Sequence, residues 1–279
     1  GTLTFAPNEL TKTITVGITN DGTYEGTENF KVQLSNASGA VITTDQVTTT
    51  IHDDGTGTLP NGGTPDDDRP AVGSVNSPTI GEGGNLDFQV KLTHPSTTDT
   101  TITLKLGDGT TPGTATPGTD TGAPQVSFDG GQHFNPITVD AQGNAVITVP
   151  ANTPADQIVV RVPTLPDNVS EAAETFKVTA STPINATPVE GTGTITDATG
   201  QPKLSITGPA DVNEAAGTIT YTVTLSNPSS TPVTVNYGTV NGSAELGKDF
   251  TATAGTLTFA PNELTKTITV GIINDGTFE

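Results

Sequence analysis

The 279-residue sequence predicts an all-β chain built from tandem antiparallel β-sandwiches. Apolar and polar residues alternate in short runs rich in Thr, Val and Ile, such as residues 30–34, 158–162 and 219–225. This alternation is typical of half-buried strands. Gly, Asn, Asp and Pro separate the runs and mark turns. No window shows the periodicity of an amphipathic helix, and many short strands with regular turns are typical of a sandwich.

A long internal repeat shows how the chain is organised. Residues 1–25 read GTLTFAPNELTKTITVGITNDGTYE, and residues 255–279 differ from them only by Ile273 for Thr19 and Phe278 for Tyr24. Such near-identity indicates a tandem array of duplicated units. The first copy is followed by the remaining, C-terminal part of its unit. The second copy is preceded by the N-terminal part of its unit. The sequence therefore predicts a fragment that opens in the back half of one unit and closes in the front half of another.

The units follow in a simple order. Residues 1–54 are predicted to be the C-terminal part of a unit, 55–70 a linker, 71–200 a complete divergent unit, and 201–279 the N-terminal part of a further unit. The middle unit aligns with both partial ones, since its SPTIGEGGNLDFQVKLTHP matches ADVNEAAGTITYTVTLSNP and its LPDNVSEAAETFKV matches TNDGTYEGTENFKV. It carries an extra segment, about residues 123–143. The short second junction, 198–202, predicts a stiffer pair of units than the long first linker.

The composition narrows the classes of function. Acidic side chains outnumber basic ones by 30 to 10, for a net charge of -20. Nucleic acid, which needs a basic surface, and insertion into a membrane are therefore not expected, whereas divalent cations are plausible partners. A content of 31% apolar and 4% aromatic residues suits several small sandwiches better than one large core. The absence of Cys removes disulfides and thiolate metal sites.

Some acidic residues recur at matching places in the units. A complete unit should have a Glu before its first long strand, an Asp in a mid-unit loop, a cluster before the Phe-containing strand, and one or two Asp at its end. Within this sequence the first unit lacks the Glu and the mid-loop Asp, and the last unit lacks the closing Asp residues. The Glu before the first long strand is Glu82 or Glu214, and the Asp in the mid-unit loop is Asp120 or Asp249. The cluster is Asp21 and Glu25 in the first unit, Asp167 and Glu171 in the middle unit, and Asp275 and Glu279 in the last unit. The closing acids are Asp53 and Asp54 in the first unit and Asp197 in the middle unit.

The period of two places several of these carboxylates on the core side of their strands. Glu28 is in phase with Phe30, and Glu174 with Phe176. An inward carboxylate needs hydrogen bonds, a basic partner or a metal ion. Because Lys and Arg are scarce, backbone donors and a hard cation remain. Calcium accepts six to eight oxygens in irregular geometry, whereas zinc prefers His or Cys. For Glu28 and Glu174 themselves we expect hydrogen bonds to nearby backbone rather than ligation.

Four stretches resemble a known family. GTLTFAPNELTKTITVGIINDGTFE, VNEAAGTITYTVTLSNP, ELGKDF and the closing TIHDD are similar to the Calx-beta domain of sodium–calcium exchangers, integrin β4 and very large bacterial adhesins. Residues 126–163 resemble the repeats of RTX-type adhesins. The resemblance implies Ig-like sandwiches and three calcium sites. The ligand sets would be Glu82, Asp120, Asp167, Glu171 and Asp197; Glu214, Asp249, Asp275 and Glu279; and Asp21, Glu25, Asp53 and Asp54.

The middle unit departs from the family pattern at two positions. It has Pro166 where exchanger-type sites carry a second acid, and it ends in Asp197-Ala198 rather than in two or three Asp. We therefore expect one weaker ion there, or none. The three Asp residues 66–68 are predicted to be solvated linker that could still add ligands to the first unit. The three His are predicted to lie on the surface.

The resulting functional prediction is a calcium-stabilised extender of a bacterial cell-surface or biofilm adhesin, extracellular and without enzymatic activity. The partners predicted are calcium ions, neighbouring repeats, and a second copy whose residues 201–279 complete residues 1–54; the alternative is that residues 1–54 stay partly disordered. Two alternatives stay open: a calcium sensor, and a module that binds a glycan or a partner through residues 123–143. No nucleophile elbow or phosphate loop supports an enzyme.

Overall fold

The computed structural model describes residues 1–107 and 115–276, which form seventeen strands and one short helical turn, Glu214–Ala216. The strands are β1 Glu28–Gln33, β2 Gln46–Ile51, β3 Val72–Val75, β4 Thr79–Gly81, β5 Asn85–Leu92, β6 Thr100–Leu106, β7 Gln125–Ser127, β8 Asn135–Pro136, β9 Asn144–Val149, β10 Ile158–Pro163, β11 Glu174–Ser181, β12 Val189–Thr196, β13 Leu204–Thr207, β14 Thr218–Leu225, β15 Val233–Gly238, β16 Ala254–Phe259 and β17 Thr265–Gly271. The predicted all-β class is confirmed. Among these residues no helix is long and apolar enough to cross a bilayer.

The middle unit is a sandwich of two five-stranded sheets. One sheet has the order β3-β5-β10-β7-β8 and the other β4-β12-β11-β6-β9, with β4 parallel to β12 and the remaining named pairs antiparallel. Alternate residues of each strand enter the core, as in β5, where Leu86, Phe88 and Val90 are fully buried. The period-two pattern therefore gives each sheet one apolar face, and these two faces pack against each other to form one core.

Glycine at one position lets the two sheets approach closely. Gly193 in β12 lies where a Cβ would be 2.7 Å from the Phe88 ring and 2.9 Å from Leu86. The Phe88 and Phe176 rings lie 6.4 Å apart at this level of the core. A side chain at position 193 would therefore displace the aromatic pair.

The extra segment of the middle unit forms an edge hairpin. Strand β7 pairs with β10, and β8 extends the sheet outward. Arg161 of β10 lies 3.8 Å above the Phe134 ring and forms a bidentate ion pair with Asp87 at 2.7 Å. This hairpin lies along the side of the sandwich.

The last unit has an exposed groove. It consists of the sheet β13-β14-β17 and the pair β15-β16, with a small core of six buried residues. Beside that core lies a cavity of about 860 Å³, lined among others by Ile206, Tyr221, Tyr237 and Ile272.

The first unit contains only the hairpin β1-β2 as regular structure. Residues 1–22 form no strand, although their counterparts 255–276 supply most of β16 and all of β17. Phe5 is 52% exposed, whereas its counterpart Phe259 is fully buried. The same residues therefore adopt two conformations in one chain.

The two junctions between units use the same backbone pairing. Tyr24 donates its N–H to the Pro95 carbonyl and accepts from the Thr97 N–H at 2.9 Å. At the second junction Ser170 donates to the Pro228 carbonyl and accepts from the Ser230 N–H. Each unit thus contacts the next through the residue before its cluster Glu. The unequal linker lengths do not change this contact.

Candidate metal centre

Acidic side chains converge at one pole of the middle unit because four chain segments end there. Glu82 follows β4, Glu174 begins β11 and Asp197 follows β12. Asp120 lies in the loop before β7, where its Oδ2 accepts the Thr116 N–H at 2.5 Å and its carbonyl accepts the Leu165 N–H. Asp167 and Glu171 belong to the loop between β10 and β11. The fold therefore places the five acids that the sequence assigned to this unit at one pole, and two of them, Asp120 and Glu171, belong to its closest carboxylate group.

Three carboxylates form the centre of this group. Ligand oxygens of Asp120, Glu171 and Glu174 all lie within 4.8 Å of one another. Burial, followed by the charges of Asp120 and Glu171, raises the pKa of Glu174 to about 7. Burial, then the charge of Asp167, also raises the pKa of Glu171. Like charges held this close in a partly buried site favour a proton or a cation.

Glu82 supplies a partly buried carboxylate whose Oε2 is buried and has no hydrogen-bond partner. Burial raises the pKa of Glu82, and the charges of Asp167 and Asp197 add to this effect. An unsatisfied buried carboxylate oxygen is costly. Its presence beside three other acids is the clearest sign that the group accommodates a positive ligand.

Asp197 and Asp167 also organise the loops around the centre. Asp197 accepts the N–H of Thr199 at 2.7 Å, the Ser170 hydroxyl at 3.2 Å and the N–H of Glu171 at 3.3 Å. Asp167 accepts the N–H of Val169 at 2.7 Å. These bonds fix the backbone that carries Glu171.

The donor set fits a hard divalent cation. The group offers carboxylate oxygens from several loops, as calcium prefers, and contains no His or Cys that would favour zinc. Within the described residues, the charges that act on the pKa values of Glu82, Glu171 and Glu174 are all carboxylates. Glu82, Asp120, Glu171 and Glu174 are the residues that would hold the ion, and the ion would supply the missing positive charge.

The first unit contains half of a similar site. The Glu25 N–H donates to Asp53 Oδ2 at 2.9 Å, and the Thr23 N–H donates to Asp21. These bonds match those of Glu171 with Asp197 and of Val169 with Asp167 in the middle unit. Asp54 accepts the N–H and hydroxyl of Thr56. The charge of Glu28, followed by burial, raises the pKa of Glu25. Glu28 itself is exposed in this unit.

The last unit contains the other half. Asp249 accepts the Glu245 N–H at 2.6 Å, and its carbonyl accepts the Ile273 N–H, as in the loop of Asp120. Glu214 begins the helical turn, and both residues line the open groove. Asp275 is exposed. Glu279 lies outside the described residues. The acids predicted for the terminal units are therefore distributed over two separate half-sites.

Two acids have environments that the sequence did not predict. Glu174 was expected to form hydrogen bonds to backbone rather than to ligate an ion, but its carboxylate lies within 4.8 Å of those of Asp120 and Glu171. The alternation that puts Glu174 in phase with Phe176, on the core side of β11, was the sequence signal that could have assigned Glu174 to the metal site. Asp68 was expected to be solvated, but it is only 2% exposed. No local pattern indicated this, because its cover comes from the preceding and following units.

The family match identifies the class of protein. The Calx-beta domain model matches residues 1–55, 66–201 and 197–279, so this chain belongs to the Calx-beta family. Calx-beta domains are calcium-binding β-sandwich modules that are not catalytic. The three matched ranges cover nearly the whole chain.

Comparison with solved structures gives distant neighbours. The chain is similar to "CBD12 from CALX1.2" (21% identity, 72% of this chain and 76% of that chain, TM-score 0.32). It is also similar to the "Apo-form Calx CBD1 domain" (19% identity, 44% of this chain and 94% of that chain, TM-score 0.31). No curated protein matches. With TM-scores this low, the identification rests on the family match.

Proposed function

We propose that this chain is a calcium-stabilised extender, whose tandem sandwiches project a binding module from a bacterial surface as part of an RTX-type adhesin. Its place would be outside the cell, in attachment or biofilm formation, and it would have no enzymatic activity. The observation that carries the proposal is the acidic pole of the middle unit, where carboxylate oxygens of Asp120, Glu171 and Glu174 lie within 4.8 Å of one another. A buried oxygen of Glu82, whose charge acts on Glu171 and Glu174, has no hydrogen-bond partner at the same pole.

The two equivalent junctions support a structural role. A rod needs each unit to contact the next in a repeatable way, and both junctions use the same pair of backbone hydrogen bonds beside an acidic pole. A cation at that pole would hold the loop that carries Tyr24 or Ser170. Calcium would therefore stiffen both a unit and its contact with the next one.

A calcium titration followed by thermal unfolding tests this proposal. A ligand that binds only the folded state adds about 2.7 kcal/mol at one hundred times its dissociation constant. We expect a rise in Tm with calcium that excess EDTA reverses. Magnesium is the control ion, because its octahedral preference fits this irregular carboxylate set less well. A melting curve identical in calcium and in EDTA would contradict the proposal.

The second candidate function is a calcium sensor. The sequence argues against it, because Pro166 stands where a second acid would raise affinity. Calorimetry separates the two roles: a dissociation constant in the range of extracellular modules, about 10⁻⁴–10⁻³ M, supports the extender. A constant of about 10⁻⁷ M together with a large conformational response would support the sensor. A third alternative is a module that binds a glycan or a partner through the edge hairpin, and binding of the chain to a glycan array would support it.

We infer further that residues 1–279, as a separate polypeptide, associate by strand complementation. The open groove of the last unit lacks the strands that β11 and β12 provide in the middle unit, and β1 and β2 have that same sequence pattern. In the middle unit Val178 pairs with Leu106 and Ala180 with Leu104. By equivalence, Val32 of one copy would pair with Thr239 of another, and Leu34 with Tyr237.

The side chains on the two surfaces are complementary. Val47 of the hairpin is 60% exposed and Leu34 45%, while Phe30 is only half-buried. Tyr221, the counterpart of Phe88, lines the groove and would meet Phe30 as Phe88 meets Phe176. The same docking would bring Glu25 and Asp53 to Glu214 and Asp249. This docking would complete one acidic pole with residues from two copies of the chain.

A further inference from the structure

Two Asn-Gly pairs occur in the sequence, Asn61-Gly62 in the first linker and Asn241-Gly242 in the loop between β15 and β16. The side-chain amide of an Asn can be attacked by the backbone nitrogen of the residue that follows it. Glycine favours this attack, because it has no Cβ to block the approach or to restrict the backbone dihedrals. These two pairs are therefore the positions in the chain where the reaction meets least steric hindrance.

The structure leaves the attacking nitrogen free at the second pair. Within residues 1–107 and 115–276, the Gly242 N–H donates to no acceptor. Asn241 and Gly242 are both exposed, and a Cβ added at Gly242 would meet nothing within 4 Å. The nitrogen can therefore turn towards the Asn241 side chain without breaking a hydrogen bond or displacing a neighbour.

The carbonyl under attack is also polarised at this pair. Asn241 Oδ1 accepts the Leu246 N–H at 3.1 Å. Leu246 is held in place by a bridge to Phe250, and the next N–H, of Gly247, donates to the Phe250 carbonyl at 2.8 Å. When the Gly242 nitrogen adds to Cγ, Oδ1 takes up negative charge. An N–H that already points at this oxygen stabilises that charge.

The linker pair is equally exposed but lacks both features. The Gly62 N–H donates to the Leu59 carbonyl at 3.0 Å and closes a turn. Among the described residues, no group donates a hydrogen bond to the Asn61 side chain. The Gly62 nitrogen must therefore give up a hydrogen bond before it attacks, and only water can stabilise the oxyanion. One chain thus presents the same dipeptide in two different environments.

We propose that Asn241 is a site of spontaneous deamidation. The Gly242 nitrogen forms a bond to Cγ of Asn241, the bond from Cγ to Nδ2 breaks, and ammonia leaves with the proton of the Gly242 nitrogen. Water then opens the resulting succinimide at either of its two carbonyls, which gives Asp or isoaspartate. Water is the only reactant besides the chain, and each turnover converts one neutral amide into one carboxylate.

The reaction would change the edge of the open groove. Val240 and Ser243, on either side of the pair, line this groove. Both products add a negative charge there, and isoaspartate also lengthens the backbone by a methylene group. The hairpin that is proposed to dock from another copy would bring Glu25 and Asp53 to the same groove. Like charges that face each other oppose binding, so deamidation would weaken the docking. This consequence rests on the proposed function, whereas the reaction does not.

Peptide mapping by mass spectrometry, after incubation of residues 1–279 in mildly alkaline buffer, tests the site. In the folded chain we expect Asn241 to convert several-fold faster than Asn61. Both products should form at position 241, with isoaspartate detected by an isoaspartyl methyltransferase. In urea the two pairs should convert at similar rates, because only local sequence then acts. Conversion of Asn61 in the folded chain as fast as that of Asn241, or faster, would overturn the proposal.

Two variants isolate the contribution of the pair. Gly242→Ala adds a methyl group in open space, so it should stay folded and slow the conversion at position 241 several-fold. Asn61→Gln removes the other reactive pair and should leave that conversion unchanged. Circular dichroism checks that both variants are folded. An unchanged rate in Gly242→Ala would show that the nitrogen of residue 242 is not the nucleophile.

The effect on docking has a separate measurement. Asn241→Asp provides one of the two products directly, and Asn241→Gln is the control that keeps a neutral amide. Light scattering should show weaker association for Asn241→Asp. Equal association of the two variants would overturn the effect on docking alone. A parent chain that stays monomeric would overturn strand complementation, while the conversion rates decide the reaction at Asn241 independently.

Discussion

At the scale of single residues, the acids of the middle unit fall into two groups. Asp167 and Asp197 accept several backbone or hydroxyl donors and shape the loops. Glu82, Glu171 and Glu174 have raised pKa values because burial and like charge oppose their ionisation. The first group fixes the loops of the pole. The second group gives the pole a partly buried negative charge that favours binding of a cation. That these residues ligate calcium stays a prediction.

Glu171→Gln should remove most of the calcium-dependent rise in Tm of the middle unit. The amide keeps the shape but removes one of the three closely spaced charges. The apo protein should become slightly more stable, because less like charge remains at the pole. Glu190→Gln, an exposed position in β12, is the matched control and should leave the calcium response unchanged. Equal calcium responses in both variants would exclude Glu171 as a ligand.

The calcium-free protein should lose stability as pH rises from about 4.5 to about 7. Folding raises the pKa of Glu174 from 4.5 to about 7, so in that window the folded state holds a proton that the unfolded chain has released. The free energy of unfolding therefore falls as pH increases through the window. Thermal unfolding after removal of calcium, measured across this range, checks the slope.

Calcium should reverse the sign of that pH effect. Binding needs the charged carboxylates, so it releases protons and becomes stronger above pH 7. Glu174→Gln is the control, since it removes the carboxylate and should flatten the slope of the calcium-free protein. A Tm that rises with pH in the absence of calcium would show that the pole does not carry raised pKa values.

At the scale of elements, period-two patterning predicted strands that the structure contains, including β5, β10 and β14. Their burial alternates as the sequence does. The patterning did not predict which strands pair. It also gave no sign that β12 must carry Gly193 beneath Phe88. Such contacts arise only when two sheets meet, so they cannot be inferred from one strand.

Gly193→Ala should destabilise the middle unit. The added methyl group would lie 2.7 Å from Phe88 and 2.9 Å from Leu86, both fully buried. Overpacking a well-filled core costs about 1–3 kcal/mol. Gly242→Ala, which has nothing within 4 Å of its new Cβ, is the matched control. Urea unfolding should give a lower midpoint for Gly193→Ala and an unchanged midpoint for Gly242→Ala. Equal midpoints in the two variants would mean that the sheets can separate at little cost.

At the scale of the whole molecule, the chain holds one closed sandwich between two open parts. The hairpin of the first unit and the groove of the last present apolar surfaces of matching pattern. Exposed apolar surfaces and strand edges favour association. The predicted complementation between copies is the arrangement that would cover both.

Phe30→Ala should weaken the association of residues 1–279. The ring would fill the groove beside Tyr221, and removing a buried Phe costs about 3–5 kcal/mol. The dissociation constant should increase by on the order of 100-fold or more. Val41→Ala, at a position 87% exposed in the hairpin loop, is the control. Light scattering over a concentration series measures the effect. A parent chain that stays monomeric throughout would contradict strand complementation.

The duplicated 25 residues separate what sequence determined from what tertiary structure decided. In both copies the APNE turn is the same: Asn8 and Asn262 have φ of 66°, and Glu9 and Glu263 cap the turn through the same hydrogen bonds. Residues four apart or fewer form these bonds, so local sequence suffices. Only the second copy forms strands, because β14 and β15 are there to pair with it. The sequence by itself determined the turns, the strand pattern and the acidic positions. Strand pairing, burial and the meeting of carboxylates from separate segments were decided by tertiary structure, because they depend on partners distant in the chain.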